Sequence, residues 1–234
     1  MVCRVRSIDL PLVLTIAIAI FLSTPACNRA AGRSCRVRMT TAQAGRKPQQ
    51  KRSRRTYDRL LDVTGQLLEE VGVDRVSTNL VAERAGVSPP TVYHYFSDKY
   101  ALFRALGERL MAAQNALVTI DFQQPEAEIA AMLEAHVRLT RDFPGGIWVM
   151  RMLRAVPQLA EVRLSSHRAL AASLVEQALR EAPQADRVTL ERTVRLAIEV
   201  GYAAVEMALE EPCLDVEATM RLAARAIRSL ASAD

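Results

Sequence analysis

VSTNLVAERAGVSPPTVYHYFSDK, residues 76–99, sets two short helical patterns on either side of a glycine-containing turn. Ser77 precedes Leu80, Val81 and Ala85, an apolar stripe at helical spacing, and its hydroxyl suits an N-cap, where it accepts from an exposed backbone N–H. Gly86 ends that helix, Ser88 caps the next, and Pro89 takes the first helical position, where its missing N–H costs nothing. The second short helix then runs from Pro89 to Tyr95. Two short helices joined by AGVS make a helix-turn-helix, a unit suited to laying its second helix in the major groove of duplex DNA.

The flanks extend the helical reading. Upstream, Tyr57, Leu60, Leu61, Thr64, Leu67, Leu68 and Val71 recur at three and four residues, one face of a helix starting at Arg54 that Gly72 stops as a left-handed cap. Gly65 weakens the middle of that helix by about 1 kcal/mol against alanine, a cost that a close crossing by another helix would explain. Downstream, Ser97 caps a longer helix carrying Leu102, Phe103, Leu106, Leu110 and Ala113 on one side. The whole chain of 234 residues is half apolar with only 9 Gly, a composition that implies an all-α protein with ample core. Its net charge of +5 is unevenly spread. Arg46, Lys47, Lys51, Arg52, Arg54, Arg55 and Arg59 face a single acid, Asp58, over residues 46–59. Such a run is either a solvated tail or an arm that neutralises phosphates, and its continuity with a helix favours the arm.

Taken in order, basic arm, long helix, Gly, Ser/Thr cap, Ala-Gly-Val-Ser turn, Thr-Val-Tyr-x-Tyr-Phe and a lysine after the Phe, the string resembles the DNA-binding domain of the TetR family of transcriptional regulators over residues 54–115. The resemblance implies an all-α chain with an N-terminal three-helix helix-turn-helix domain (54–115) joined to a larger α-helical ligand-binding and dimerisation domain (116–234). It also implies a homodimer on double-stranded, palindromic operator DNA that answers to a small-molecule effector, most often as a repressor.

Within the second short helix, Val92 and Phe96 suit the core. Tyr93 lies off that stripe, and the resemblance implies that it touches DNA; His94 and Tyr95 match variable family positions facing the groove or its walls. Pro90 and Thr91 sit in the first helical turn, where a ring or hydroxyl can meet a thymine methyl. Thr78 and Asn79 open the preceding helix at a positive helix end suited to phosphate. Lys99 stands in the first turn of the longer helix, where a cation opposes the helix dipole; a shared phosphate would explain it. With Arg54, Arg55, Ser88 and Pro89, these residues form the expected DNA-facing set.

Beyond residue 121 the chain reads as further helices without a catalytic signature. Pro125 opens one with Ile129, Met132, Leu133, His136, Val137 and Leu139 on its apolar face, and Pro157 and Pro183 punctuate the next two. Another spans residues 186–210, and Asp215 caps a last one. In DFPGGIWVMRM, Phe143, Trp148 and Met152 offer apolar walls for an effector, with His136 or Arg151 to orient a polar group, though the helical spacing favours plain core for most of them. Val194, Ile198, Gly201, Val205, Leu222 and Ile227 on the last two helices are the expected dimer interface.

The extreme N-terminus is atypical. Arg4 and Arg6 precede an apolar run over residues 10–22 and then STPAC, so residues 1–38 are either a secretory-type targeting segment or translated upstream sequence ahead of a start near Met39. The first reading makes the chain an exported or membrane-tethered helical binding protein. The rest of the chain favours the second and a cytoplasmic protein, with residues 39–53 as the basic arm and no membrane partner. Cys213 is the lone thiol of the main body, and no CxxC or Cys/His cluster suggests a metal. No nucleophile–base pair, paired carboxylates or phosphate loop suggests an enzyme or a cofactor.

Overall fold

A computed structural model describes residues 51–118 and 124–231. The signal-like segment 1–38 with Cys3, Cys27 and Cys35, and almost all of the basic arm 39–53, lie outside the described residues. Within them are nine α-helices and a 3-10 turn: α1 Lys51–Arg75, α2 Thr78–Ala85, α3 Pro89–Tyr95, α4 Lys99–Asn115, α5 Glu126–Asp142, α6 Gly146–Ala155, the turn Pro157–Leu159, α7 Ala160–Glu181, α8 Arg187–Glu210 and α9 Val216–Ala231.

Local chemistry sets most of these ends. Ser77 accepts from Leu80 N–H at 3.2 Å, and Gly86 closes α2 in the left-handed conformation with φ 65°. Two expectations are corrected. Asp98, not Ser97, caps α4, accepting from Ala101 N–H at 2.9 Å, because a carboxylate is the stronger acceptor; Ser97 spends its hydroxyl on Asp98 instead. Gly72 does not form a left-handed cap. Its φ of 76° goes with a ψ of 169°, a conformation open essentially to glycine alone, which breaks α1 and lets one further turn follow to Arg75.

The apolar stripes of α1, α3 and α4 meet in one cluster, with Leu60, Leu67, Leu68, Val92, Phe96, Phe103 and Leu106 all but sealed from solvent. That cluster does not stop at the helix-turn-helix. It continues through Val149, Met152 and Leu153 of α6 and Val162 and Val175 of α7. A second cluster joins Ile129, Leu133 and Val137 of α5 to Ala204, Val205 and Ala208 of α8 and Met220 and Ala224 of α9. The small side chains on α8 let three helices approach closely there.

The head is fixed to the body where backbone meets backbone. A methyl on Gly65 would lie 2.2 Å from Pro144 O, and one on Gly145 would lie 2.5 Å from Gly65 O. The close neighbour expected at Gly65 is therefore the α5–α6 turn and not a crossing helix. That turn needs Gly145 at φ 70°, and Gly145 N–H donates to Glu69 Oε1 at 2.9 Å, which ties the turn back to α1. Gly65→Ala gains helix propensity worth about 1 kcal/mol but meets immovable backbone. We expect a net loss of stability that lowers the melting temperature by roughly 3–10 °C in calorimetry; an unchanged or higher melting point would mean that the two segments part freely.

Candidate functional site

The helix-turn-helix presents one edge of α3 to solvent. Tyr93 is 53 % exposed, and Ser88, Pro89, Pro90 and His94 are exposed beside it, while Val92, Tyr95 and Phe96 anchor the opposite edge in the core. Thr91 is half-buried, its hydroxyl 2.9 Å from that of Ser88. Ser88 therefore stands at the N-cap position without bonding a helical N–H. Lys99 is half-buried at the start of α4, its Nζ 5.6 Å from the Tyr100 ring centroid. Asn79, Arg54 and Arg55 are exposed. The first turns of α1, α2, α3 and α4 carry no acidic residue, whereas those of α5, α7 and α9 do. Of these, α2 and α4 are capped by the side chains of Ser77 and Asp98, whereas α3 has no side-chain cap.

Two members of the DNA-facing set are placed differently from the expectation. Tyr95 does not face the groove: it is 9 % exposed, lies edge-on to Tyr57 at 6.0 Å between centroids, and its hydroxyl pairs with Ser53 Oγ at 2.8 Å. The cause is helical phase, since Tyr95 falls three residues after Val92 and shares its inward face. Thr78 is also buried, and its hydroxyl lies 3.0 Å from that of Tyr93. Its side chain holds Tyr93 in place across the two helices. Arg84 and Glu70 join α2 to α1 through two 2.7 Å bonds, a fork that holds the angle of the motif.

The family model described as "Bacterial regulatory proteins, tetR family" matches residues 60–106. Over 49 residues the chain is 50 % identical to the tetracycline repressor protein class A from transposon 1721 of Escherichia coli, covering 21 % of this chain and 23 % of that one. Over this short stretch the chain resembles the tetR family of regulators. It is also 33 % identical over 82 residues to the HTH-type transcriptional regulator BetI of Ectopseudomonas mendocina (strain ymp), covering 33 % of this chain and 42 % of that one. The chain thus spans less than half the length of these curated relatives. The fold likeness reaches further. A TetR-family regulator from Streptomyces coelicolor superposes with a TM-score of 0.59 at 22 % identity over 75 % of this chain and 80 % of its own. A regulator of the same family from Syntrophomonas wolfei does so with a TM-score of 0.61 at 12 % identity, over 76 % and 95 %.

The body of the chain holds a cavity of about 150 Å³ walled by α5, α7, α8 and α9. Of the five residues expected to contact an effector, only His136 lines it. Met152 is core, Phe143 packs under the Arg109 guanidinium at 5.1 Å, and Trp148 packs beside Arg151, which pairs with Glu210 at 3.6 Å. The DFPGG turn is occupied by α1, so it has no room for a ligand. The expected dimer residues are corrected as well. Val194, Ile198, Gly201, Val205 and Ile227 line this same cavity, and of that set only Leu222, at 66 % exposure, points outward.

A buried polar cluster behind Tyr202 is the part that the sequence did not signal. Tyr202 Oη is buried and makes no hydrogen bond. Its ring lies against that of His167, centroids 4.1 Å apart, and His167 Nδ1–H donates to Glu199 at 3.1 Å. Burial pushes His167 below its ordinary value, so the ring is neutral. Burial also pushes Glu199 up, but His167, Arg195 at 2.5 Å and Arg163 at 3.5 Å outweigh it and keep the carboxylate charged. His136 is likewise held neutral by burial, with Nδ1–H on Met132 O at 2.8 Å. Among the described residues no group of His, Cys, Asp and Glu could hold a metal, and no helix is long and apolar enough to cross a membrane.

The two α3 tyrosines separate a structural role from a recognition role. Tyr95→Ala should cost about 3–5 kcal/mol in denaturant unfolding, whereas Tyr93→Ala should stay within about 0.5 kcal/mol of the parent. Equal costs at the two positions would mean that both rings are core.

Proposed function

We propose that the chain is a dimeric, ligand-responsive DNA-binding regulator, acting as a repressor in the cytoplasm and not as an enzyme. The observation that carries this is the outward edge of α3, where Tyr93, His94 and the Pro89–Pro90 turn stand in solvent on a helix otherwise sunk in core. An aromatic ring left half in water on a seven-residue helix serves no packing purpose. The 50 % identity with a tetracycline repressor over this region supports the same reading. Tyr93, Lys99, Asn79, Arg54 and Arg55 take phosphates and fix register. Pro90, Thr91 and His94 read base edges.

Dimerisation is proposed to use the outer rather than the inner face of the last two helices. Leu196, Ala203 and Met207 form one exposed stripe on α8, and Ala218, Leu222 and Ala226 another on α9. A two-fold dimer would set two α3 helices about one DNA turn apart. Effector response would travel through α4. It begins at Lys99 and runs to Asn115, where Gln114 donates to Thr140 of α5 at 2.8 Å and Asn115 donates to Ser166 of α7 at 2.9 Å, two helices that also wall the cavity. A ligand that moves α5 against α7 would swing this helix, and with it the spacing of the two heads. The ligand must favour the state that does not fit DNA.

Genome-wide mapping of bound DNA would supply the operator. On that duplex and a scrambled one, Tyr93→Ala and Lys99→Ala should weaken binding to both, and Lys99→Ala should flatten the salt dependence by about one ion. Thr91→Ala and His94→Ala should cost about 1–3 kcal/mol on the operator alone. Uniform losses for all four variants would remove the division of labour. Leu222→Glu should yield a monomer by light scattering with its helical content unchanged; a persisting dimer would move the interface elsewhere.

A further inference from the structure

The cavity in the body has two unlike ends. Its lining on α8 recurs as Thr193, Ala197, Gly201 and Val205, one helical face that runs about 18 Å at 1.5 Å per residue. α5 lies beside α8 and points the same way. A Cβ on Gly201 would stand 3.2 Å from a Leu133 methyl, and Arg141, further along α5, donates at 2.9 Å to Ala208 O, further along α8. Gln124, just ahead of α5, and Thr193 therefore mark one end of the cavity, and His136 and Val205 mark the other. Gln124 and Thr193 are partly exposed, whereas His136 and Val205 are sealed. The site is a trough along α8, open at one end and closed at the other.

Chemistry divides along the same line. From Ile129 and Ile198 inward to Leu133 and Val205 the walls are hydrocarbon. His136 at the closed end is held neutral by burial, with its Nδ1–H on Met132 O. The open end carries Gln124, Thr193 and Arg228, whose guanidinium is fixed there by donating to Gln124 O at 2.5 Å. With five N–H donors, a guanidinium serves more than one acceptor at once, and its planar fork matches a carboxylate. The Thr193 hydroxyl adds a donor at this end. No carboxylate is among the described lining residues, so an ammonium would enter without a counter-ion. A charged group at the open end also keeps its contact with water, while the closed end takes only apolar atoms without a desolvation cost. We propose that the cavity takes an amphiphilic carboxylate, its unbranched hydrocarbon chain laid along α8 toward Val205 and its carboxylate at the open end on Arg228 and Thr193. The proposal rests on the reading of the body as an effector domain and names the class of effector.

Four probes test it on the full chain by titration calorimetry: decanoate, decanol, decylamine and butyrate. Decanoate should bind once per subunit and raise the melting temperature. Butyrate, which leaves most of the trough unfilled, should bind at least about a hundredfold more weakly. Decylamine, which sets a second cation beside Arg228, should be at least about tenfold weaker. Arg228→Met keeps the aliphatic stem and removes the charge, and should lose about tenfold for decanoate and nothing for decanol. Butyrate or decylamine binding as tightly as decanoate overturns the proposal. So does an undiminished decanoate affinity in Arg228→Met, an equal loss of decanol in that variant, or decanoate giving neither heat nor a melting shift. Mobility shifts on the mapped operator separate failure of the ligand class from failure of the regulatory reading. A protein that binds duplex but ignores decanoate has the wrong effector class assigned. One that binds decanoate through Arg228 without any change in its shift keeps the ligand class and loses the regulatory reading.

Discussion

Backbone lies on backbone where Gly65 of α1 meets Pro144 and Gly145, and the rest of the molecule is arranged around that contact. Neither partner has room for a methyl group, and Glu69 closes the joint by accepting from Gly145 N–H. A contact between main chains cannot relax by changing rotamers, so the head and the α5–α6 turn move together or not at all. The orientation of α1 fixes α2 through the Arg84–Glu70 fork, and α2 fixes Tyr93 through the Thr78 hydroxyl. The position of the exposed edge of α3 is therefore inherited from a joint on the far part of α1.

The second route between head and body is α4. Its seventeen residues span about 25 Å at 1.5 Å per residue, from Lys99 to Gln114 and Asn115, which bond Thr140 of α5 and Ser166 of α7. Gly107 lets Leu153 of α6 come close along the way, since a Cβ there would lie 2.9 Å from a Leu153 methyl. The main-chain joint at α1 and the length of α4 together tie the head to the body.

The cavity sits beside a cluster of opposed charges, with Glu199 between Arg163, Arg195 and the neutral His167. These groups hold α7 to α8. Tyr202 stacks on His167, and its sealed hydroxyl is left unbonded beside the cluster.

The sequence by itself determined the helices, the helix-turn-helix and its outward tyrosine. Those follow from local rules: caps such as Ser77 and Gly86, a proline at the first position of α3, and apolar spacing that separates Val92 and Phe96 from Tyr93. Tertiary structure alone decided which face of α8 turns inward. Val194, Ile198, Gly201 and Val205 form an apolar, small-residue stripe that would serve equally well against a second subunit or around an internal cavity, and periodicity carries no label for inside. The same holds for Tyr95, whose ring reads as a surface aromatic until Tyr57 and Ser53 are brought to it from 38 and 42 residues away. It holds also for Gly65, whose partner is a turn some eighty residues downstream. Contacts between distant segments depend on how the helices stack, and no local pattern encodes that.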